Sequence, residues 1–297
     1  MKQLIKKTFS KLSRNAKNQV RRYWENHNVT LHKQFSSPEE SLNFFEWRNS
    51  QYPGYIELAP VNNADDLVVL DFGCGPGHDL IGFGAFSKPK RLIGADVSRV
   101  SLSESQDRLN LHKIEAELIT IDPQLQTLPL ESSSIDYIHC SGVLHHTDNE
   151  LNILKEFRRV LRPGGEARIM VYNYNSLWVH LYTAYIKQIL DESFQNLSLR
   201  EAFAKTTDGV DCPISRCYTP SEFCSIANQA GFKATHIGNS MSLTELNLLP
   251  KIYQAIQNIK LSSESRKFLT ELTFNEKNHP IYRGQLAGIN SVYSLIS

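Results

Sequence analysis

The chain has 297 residues, of which 41% are hydrophobic and 21% charged, a balance that excludes intrinsic disorder and allows a sizeable core. A formal net charge of +1 provides no global field to draw in nucleic acid, so no nucleic-acid partner is expected and charge must be read locally. Five scattered cysteines, an odd number, exclude a secreted disulfide framework and point to a reducing cytoplasm.

The chain opens with a basic stretch. Lys2, Lys6, Lys7, Lys11, Arg14, Lys17, Arg21 and Arg22 precede the first acid, Glu25, while Leu4, Ile5, Phe9, Leu12, Ala16 and Val20 recur at near-helical spacing. Such a basic amphipathic helix suits a cap over a site, a peripheral contact with an anionic membrane, or a targeting extension. No apolar run approaches the ~20 residues that cross a bilayer. An aromatic group follows at Phe44, Phe45, Trp47, Tyr52 and Tyr55.

From Leu67 onward short apolar runs alternate with helical patterns. Leu67 to Phe72, Arg91 to Asp96, Ala116 to Asp122, Ile135 to Ser141 and Ala167 to Tyr172 are predicted strands. Between them Ser101 and Glu104 form a capping box, and Asn149 caps a helix with Leu151, Leu154, Phe157 and Leu161 on one face. Pro163, Gly164 and Gly165 are expected to end that helix and turn the chain into the fifth strand. This alternation predicts a parallel sheet covered by helices on both sides.

After Tyr172 a helix with Leu177, Leu181, Ala184 and Tyr185 leads into an irregular loop, Thr206 to Tyr218. Thr219, Pro220 and Glu222 make a second capping box, and Gly231 closes its helix. Lys233 to Met241 and Gln285 to Ile296 are candidates for the last two strands, with a helix near Lys251 to Leu272 between them.

The strongest chemical signal is VVLDFGCGPG, Val68 to Gly77. A buried strand runs into Asp71 and then three glycines, Gly73, Gly75 and Gly77, which let a ligand lie against the backbone and permit positive φ. The helix beginning near His78 aims free N–H groups into the same space, which suits a carboxylate, and Asp71 suits a cationic amine. Together these describe an amino-acid head group better than a pyrophosphate. Cys74 lies within the turn. Asp96, closing the second strand about twenty residues on, is placed to accept from ribose hydroxyls, with Val97 beside it. Asp122 ends the third strand and suits an adenine amino group, a place Gln124 could equally take.

The runs DFGCGPG, GADVS (Gly94 to Ser98), LPLESSSIDYIHCSGVLHH (Leu128 to His146) and RRVLRPGG (Arg158 to Gly165) resemble successive motifs of class I S-adenosylmethionine-dependent methyltransferases. The likeness is strongest to the branch with quinone-biosynthesis C-methyltransferases and small-molecule O- and N-methyltransferases, and it covers roughly Leu67 to Tyr172. The resemblance implies an α/β, Rossmann-like, doubly wound seven-stranded sheet, mostly parallel with an antiparallel last strand. It further implies that Asp71, Gly73, Gly75 and Gly77 hold the methionine part of S-adenosyl-L-methionine, Asp96 the ribose and Asp122 the adenine side, with Ser141 lining the floor. Residues 1–60 are then the N-terminal arm and cap, and 61–297 the methyltransferase domain with a substrate-side insertion at about 173–218.

Methyl transfer needs mainly in-line positioning, and a base where the acceptor is a hydroxyl or ammonium. His145 and His146 follow the fourth strand, where such a base would stand, although a structural role is the alternative. Tyr172, Tyr174 and Trp178 crowd the exit of the fifth strand, where active sites of open α/β sheets lie, and are candidate substrate contacts or packing. Arg216 suits either an acidic acceptor or a surface ion pair. Cys212, Cys217, Cys224 and His236 lack the tight pairing of zinc ribbons, so no metal is expected. The expected substrate is a small or lipid-like molecule. The rivals are an NAD(P)-dependent Rossmann oxidoreductase, against which Asp71 stands ahead of the glycines, and a non-catalytic module that keeps the cofactor fold.

Overall fold

The structure is a computed structural model that describes residues 19–122 and 127–297. Most of the basic N-terminal stretch and Gln124 lie outside the described residues; of that stretch, residues 19–26 are described and helical. A seven-stranded sheet runs in the order β3-β2-β1-β4-β5-β10-β6. Its strands are β1 (Val68–Phe72), β2 (Arg91–Asp96), β3 (Glu117–Thr120), β4 (Ile135–Ser141), β5 (Leu161–Tyr172), β6 (Lys233–Ser240) and β10 (Asn290–Ile296). Strands β1 to β5 pair in parallel, and β10 inserts antiparallel between β5 and β6. This is the mostly parallel, doubly wound class I fold with a reversed strand, and the order inverts at β1, which opens a crevice at the strand ends.

Alternation along β1 sets the two faces. Val68, Leu70 and Phe72 enter one apolar cluster, with Phe157, Leu154 and Tyr293. Val69 enters the other, with Leu80, Ile81 and Phe83 of the helix His78–Phe86. Period two then turns Asp71 to the second face, beside His139, its register partner on β4.

Four local expectations change. Ser98, not Ser101, caps the helix Arg99–His112, because its side chain accepts from Ser101 N–H; Glu104 instead reaches outward to Asn28 and His32. Pro163 to Gly165 do not end an element before β5. They form a bulge inside it, with Leu161 paired to Ile135 and Glu166 to Tyr137, and the C-terminal Ser297 hydrogen-bonds Gly165 O at 3.0 Å. The strand expected over Gln285 to Ile296 breaks at Gly288, where an added Cβ would meet Ser240 O at 2.3 Å; β9 (Gln285–Leu286) joins a small sheet with β7 (Thr273–Phe274) and β8 (Pro280–Tyr282) instead.

The helix expected from Lys251 to Leu272 is also broken, into Ile252–Gln257 and Ser263–Thr270. The Arg266 guanidinium fills the break, donating to Ile256 O, to Asn258 O at 2.7 Å and to Leu261 O at 3.3 Å. The wide-turned helix Trp178–Leu190 packs on these pieces as a separate apolar cluster through Leu181, Ala184 and Tyr185.

Candidate functional site

A cleft of about 1370 Å³, including its mouth, opens over the carboxyl ends of β1, β2 and β4. Its floor is Phe72 to Pro76 and Ser141 to Val143, and its sides carry Asp96, Val97, Ile121 and Leu128. All three turn glycines have positive φ: +78° at Gly73, +52° at Gly75 and +75° at Gly77. Only one of them faces open space. A Cβ on Gly73 would meet Val143 at 2.2 Å and one on Gly77 would meet Ser105 at 2.6 Å, whereas nothing lies within 4 Å of a Cβ on Gly75. Gly73 and Gly77 therefore serve close packing, and Gly75 leaves a surface where a ligand can approach the backbone.

Asp96 is tied on both oxygens. Gly75 N–H donates to Oδ2 at 2.9 Å and Ser98 N–H to Oδ1 at 2.7 Å, so the carboxylate is fixed at the cleft wall with lone pairs to spare. Burial pushes its pKa upward against those bonds. Asp71 lies beneath the turn, 2% exposed, and its Oδ2 has no hydrogen-bond partner among the described residues. Burial, opposed by the attraction of His139 and reinforced by Asp79 and Asp96, raises its pKa. His139 Nε2 stands 3.3 Å from Asp79 Oδ2, and that pairing lifts the histidine and lowers the acid. A buried carboxyl with an orphan oxygen, in so negative a corner, is a place for a cation.

On the floor Ser141 Oγ and Tyr55 OH lie 2.5 Å apart, so this tyrosine of the N-terminal region is fastened to the end of β4. Cys74 and Val97 line the cleft as well, and Gly77 is the N-cap of the helix His78–Phe86 just behind it. Asp122 is exposed and stands outside the lining, while Ile121, Thr127 and Leu128 face in around it.

The two histidines part company. His145 is fully buried, its ring 3.8 Å from that of Tyr172, with neither nitrogen hydrogen-bonded among the described residues and its pKa driven well down by burial, and it does not reach the cleft. His146 does. Its Nδ1 is 2.7 Å from Ile214 O, which fixes the proton on that nitrogen and leaves Nε2 as the acceptor.

The expected substrate contacts lie elsewhere. Tyr172 donates to Asp208 Oδ1 at 2.9 Å, Tyr174 to Glu264 at 2.8 Å, and the Trp178 ring packs on Tyr182. Arg216 donates to Thr147 O at 2.7 Å and pairs with Glu150 at 2.9 Å, the surface ion pair that was the alternative reading. None of the four lines the cleft.

The outer wall comes instead from residues the sequence did not single out: Trp24, His27, Asn28, Val29, Arg48 and Ile214. Residues 20–32 are fastened at two ends. Asn28 Nδ2 and His32 Nδ1 each lie 2.6 Å from Glu104, and at the other end Tyr23 OH donates to Asp208 O while the Trp24 ring sits 4.8 Å from that of His146. Beyond Arg22 no periodicity marks the segment. The available signals were the basic amphipathic stretch leading into it, one of whose readings is a cap over a site, and Arg48, a basic residue in the last turn of the helix Pro38–Ser50, behind an aromatic group.

Comparison with known proteins agrees with this geometry. Residues 69–165 match the family described as "Methyltransferase domain". The chain is 37% identical over 134 residues to an uncharacterized 37.1 kDa protein in a transposon of Streptomyces fradiae, covering 43% of this chain and 38% of that one. It is 30% identical over 130 residues to a tRNA U34 carboxymethyltransferase of Pseudoalteromonas atlantica, covering 41% of this chain and 36% of the relative. The chain thus spans well under half the length of these curated relatives. Among solved structures, the YcgJ protein from Bacillus subtilis superposes with a TM-score of 0.51 at 18% identity, over 81% of this chain and 96% of that one. An S-adenosylmethionine-dependent methyltransferase from Mesorhizobium loti gives 0.50 at 17% identity, over 85% and 98%. Likeness at that identity speaks to the fold.

Proposed function

Because the chain carries a methyltransferase domain of the class I fold, we propose that it transfers a methyl group from S-adenosyl-L-methionine to a small, largely apolar acceptor. The observation that carries the reading is the orphan Oδ2 of Asp71 beneath a glycine turn whose Gly75 faces open space. The residues fit the cofactor chemically. Asp71, whose raised pKa an ammonium bound beside it would bring down, supplies the carboxylate for the methionine ammonium, and the N–H groups at the start of the helix His78–Phe86, with Arg48 across the cleft, suit the cofactor's own carboxylate. Asp96 takes the ribose hydroxyls, and Ile121 and Leu128 give the adenine an apolar slot in which Asp122 has at most a rim position.

When bound, S-adenosylmethionine supplies a methyl carbon already activated by its sulfonium. The chain's contribution is therefore position and exclusion of water. Val20, Trp24, Val29, Val143 and Ile214 make much of the remaining wall apolar, with His27 and Asn28 beside them, which supports a small or lipid-like acceptor over a highly charged one. Among the relatives of known activity are tRNA carboxymethyltransferases, and they support a second reading, an RNA acceptor approaching the mouth of the same cleft. No helix among the described residues is long and apolar enough to cross a membrane.

Calorimetry with S-adenosylmethionine, its demethylated product and the nicotinamide dinucleotides tests the cofactor. Tight binding of the first two is expected, and binding of a dinucleotide alone overturns the reading. Methyl-labelled cofactor incubated with separate small-molecule, lipid and RNA fractions then locates the acceptor. Label in the first two supports the small acceptor, label in RNA replaces it with the second reading, and label nowhere favours a non-catalytic module.

A further inference from the structure

On the far side of the cleft His146, Asp208 and Cys212 come together, with one ligand atom from each lying within 4.8 Å of the other two. We propose that these three residues form a binding site for a thiophilic divalent cation of the zinc class, placed at the acceptor end of the cleft. The site stands whether or not methyl transfer is the reaction, since its ligands are distinct from the residues assigned to the cofactor.

The three side chains are close enough for one ion to bridge them. His146 Nε2 and Asp208 Oδ2 are 3.7 Å apart, beyond a hydrogen bond, while Cys212 Sγ is 3.9 Å from Nδ1 of the same ring and its thiol donates to Ile214 O at 3.3 Å, a bond that rotation of Cys212 towards Nε2 would give up. Donors on a tetrahedral zinc ion stand about 3.5 Å from one another, so side-chain rotations close the remaining gap. The outer contacts are also those of a metal site. Ile214 O holds the proton on His146 Nδ1 and so turns Nε2 inward, Tyr172 OH binds Asp208 Oδ1 at 2.9 Å, and Ser215 Oγ steadies Oδ2 at 3.3 Å. His146 is 5% exposed and Cys212 2%, so both donors are held by packing rather than by water.

A neutral imidazole, a carboxylate and a thiolate suit a borderline-soft ion and leave a fourth position. His146 and Ile214 border the cleft, so that position opens towards the acceptor. The grouping differs from Cys212, Cys217, Cys224 and His236, the set for which the sequence predicts no metal. Cys217 and Cys224 lie outside it, because the loop Thr206 to Tyr218 folds Cys212 back onto His146 from the fourth-strand motif.

The test is titration of the chelator-treated full chain with cobalt(II), followed by optical spectroscopy. One equivalent of cobalt should give a thiolate charge-transfer band in the near ultraviolet. Cys212→Ser should abolish that band, Asp208→Asn should weaken cobalt binding by about tenfold or more, and Cys224→Ser should leave both unchanged. Each variant is checked by thermal unfolding and by binding of the demethylated cofactor, so that a misfolded protein is recognised and replaced by Cys212→Ala. No band in the wild-type chain, or a band that survives loss of Cys212 in a folded variant, overturns the site. Cofactor binding that persists in either case leaves the methyltransferase reading standing.

Discussion

Asp71 is a carboxyl that the fold keeps away from water and whose Oδ2 has no hydrogen-bond partner among the described residues. Its raised pKa means that the native state keeps this proton at pH values where the unfolded chain, with an ordinary pKa of about 3.9, has released it. Stability from this group is thus fully present below the ordinary value and is lost as pH rises through the raised one. In Asp71→Asn that loss should disappear, as measured by denaturant unfolding across pH, and affinity for S-adenosylmethionine should fall by about tenfold or more. A wild-type pH profile as flat as the variant's would refute the assignment. The glycines separate packing from binding. Gly73→Ala would force a Cβ against Val143 and should cost about 2 kcal/mol or more of stability. Gly75→Ala has room for its Cβ and should cost about half that, from the positive φ alone, while weakening the cofactor more than the fold. At this scale the sequence was legible where chemistry is local: Gly73, Cys74, Gly75, Asp96, Val97 and Ser141 all line the cleft. Tyr172, Tyr174, Trp178 and Arg216 were not, because an aromatic or a guanidinium next to a strand end reads the same whether it faces a ligand or a neighbouring acid.

Elements announced by their ends were the easiest to read. Thr219 and Glu222 satisfy each other's backbone N–H groups around Pro220, and Asn149 accepts from Asn152 N–H at 3.0 Å. Each such device uses only residues within one turn and so depends little on the rest of the chain; the Ser101–Glu104 box is the exception, since Ser98 caps that helix and Glu104 bonds to Asn28 and His32. Thr219→Ala should therefore lower stability by about 1 kcal/mol and leave cofactor affinity unchanged, which paired thermal melts and calorimetry will show. Elements decided by distant partners were misread. Pro163 to Gly165 signal a stop, yet Ser297 pairs with that segment from the other end of the chain. Gly288 breaks the last strand only because the backbone near Ser240 crosses it, and Arg266 stabilises a helix interruption that apolar periodicity smooths over.

For the whole molecule, the sheet places the proposed cofactor berth at the point where strand order reverses, and two segments outside the strand–helix alternation complete it. Asn290–Ile296 fills the slot between β5 and β6, while residues 20–32 cross the mouth. The crossing segment reads as a cap, since its fastenings are few and peripheral, whereas the berth beneath is built from buried strand ends. Glu104 supplies one fastening almost alone, accepting from Asn28 and bonded to His32. Its hydrogen bond raises the His32 pKa, so the charged clasp is fully formed below the ordinary histidine value and weakens as pH rises through the raised one. Glu104→Ala should speed amide exchange across 19–32 and hasten dissociation of the demethylated cofactor, with exchange in β1 and β4 unchanged. Wild-type dissociation should quicken on moving from acid to alkaline pH, and the variant should lack that dependence. If exchange across 19–32 is the same in both proteins, the segment is held by packing against Trp24 and His146 rather than by the clasp, and closure is then insensitive to pH.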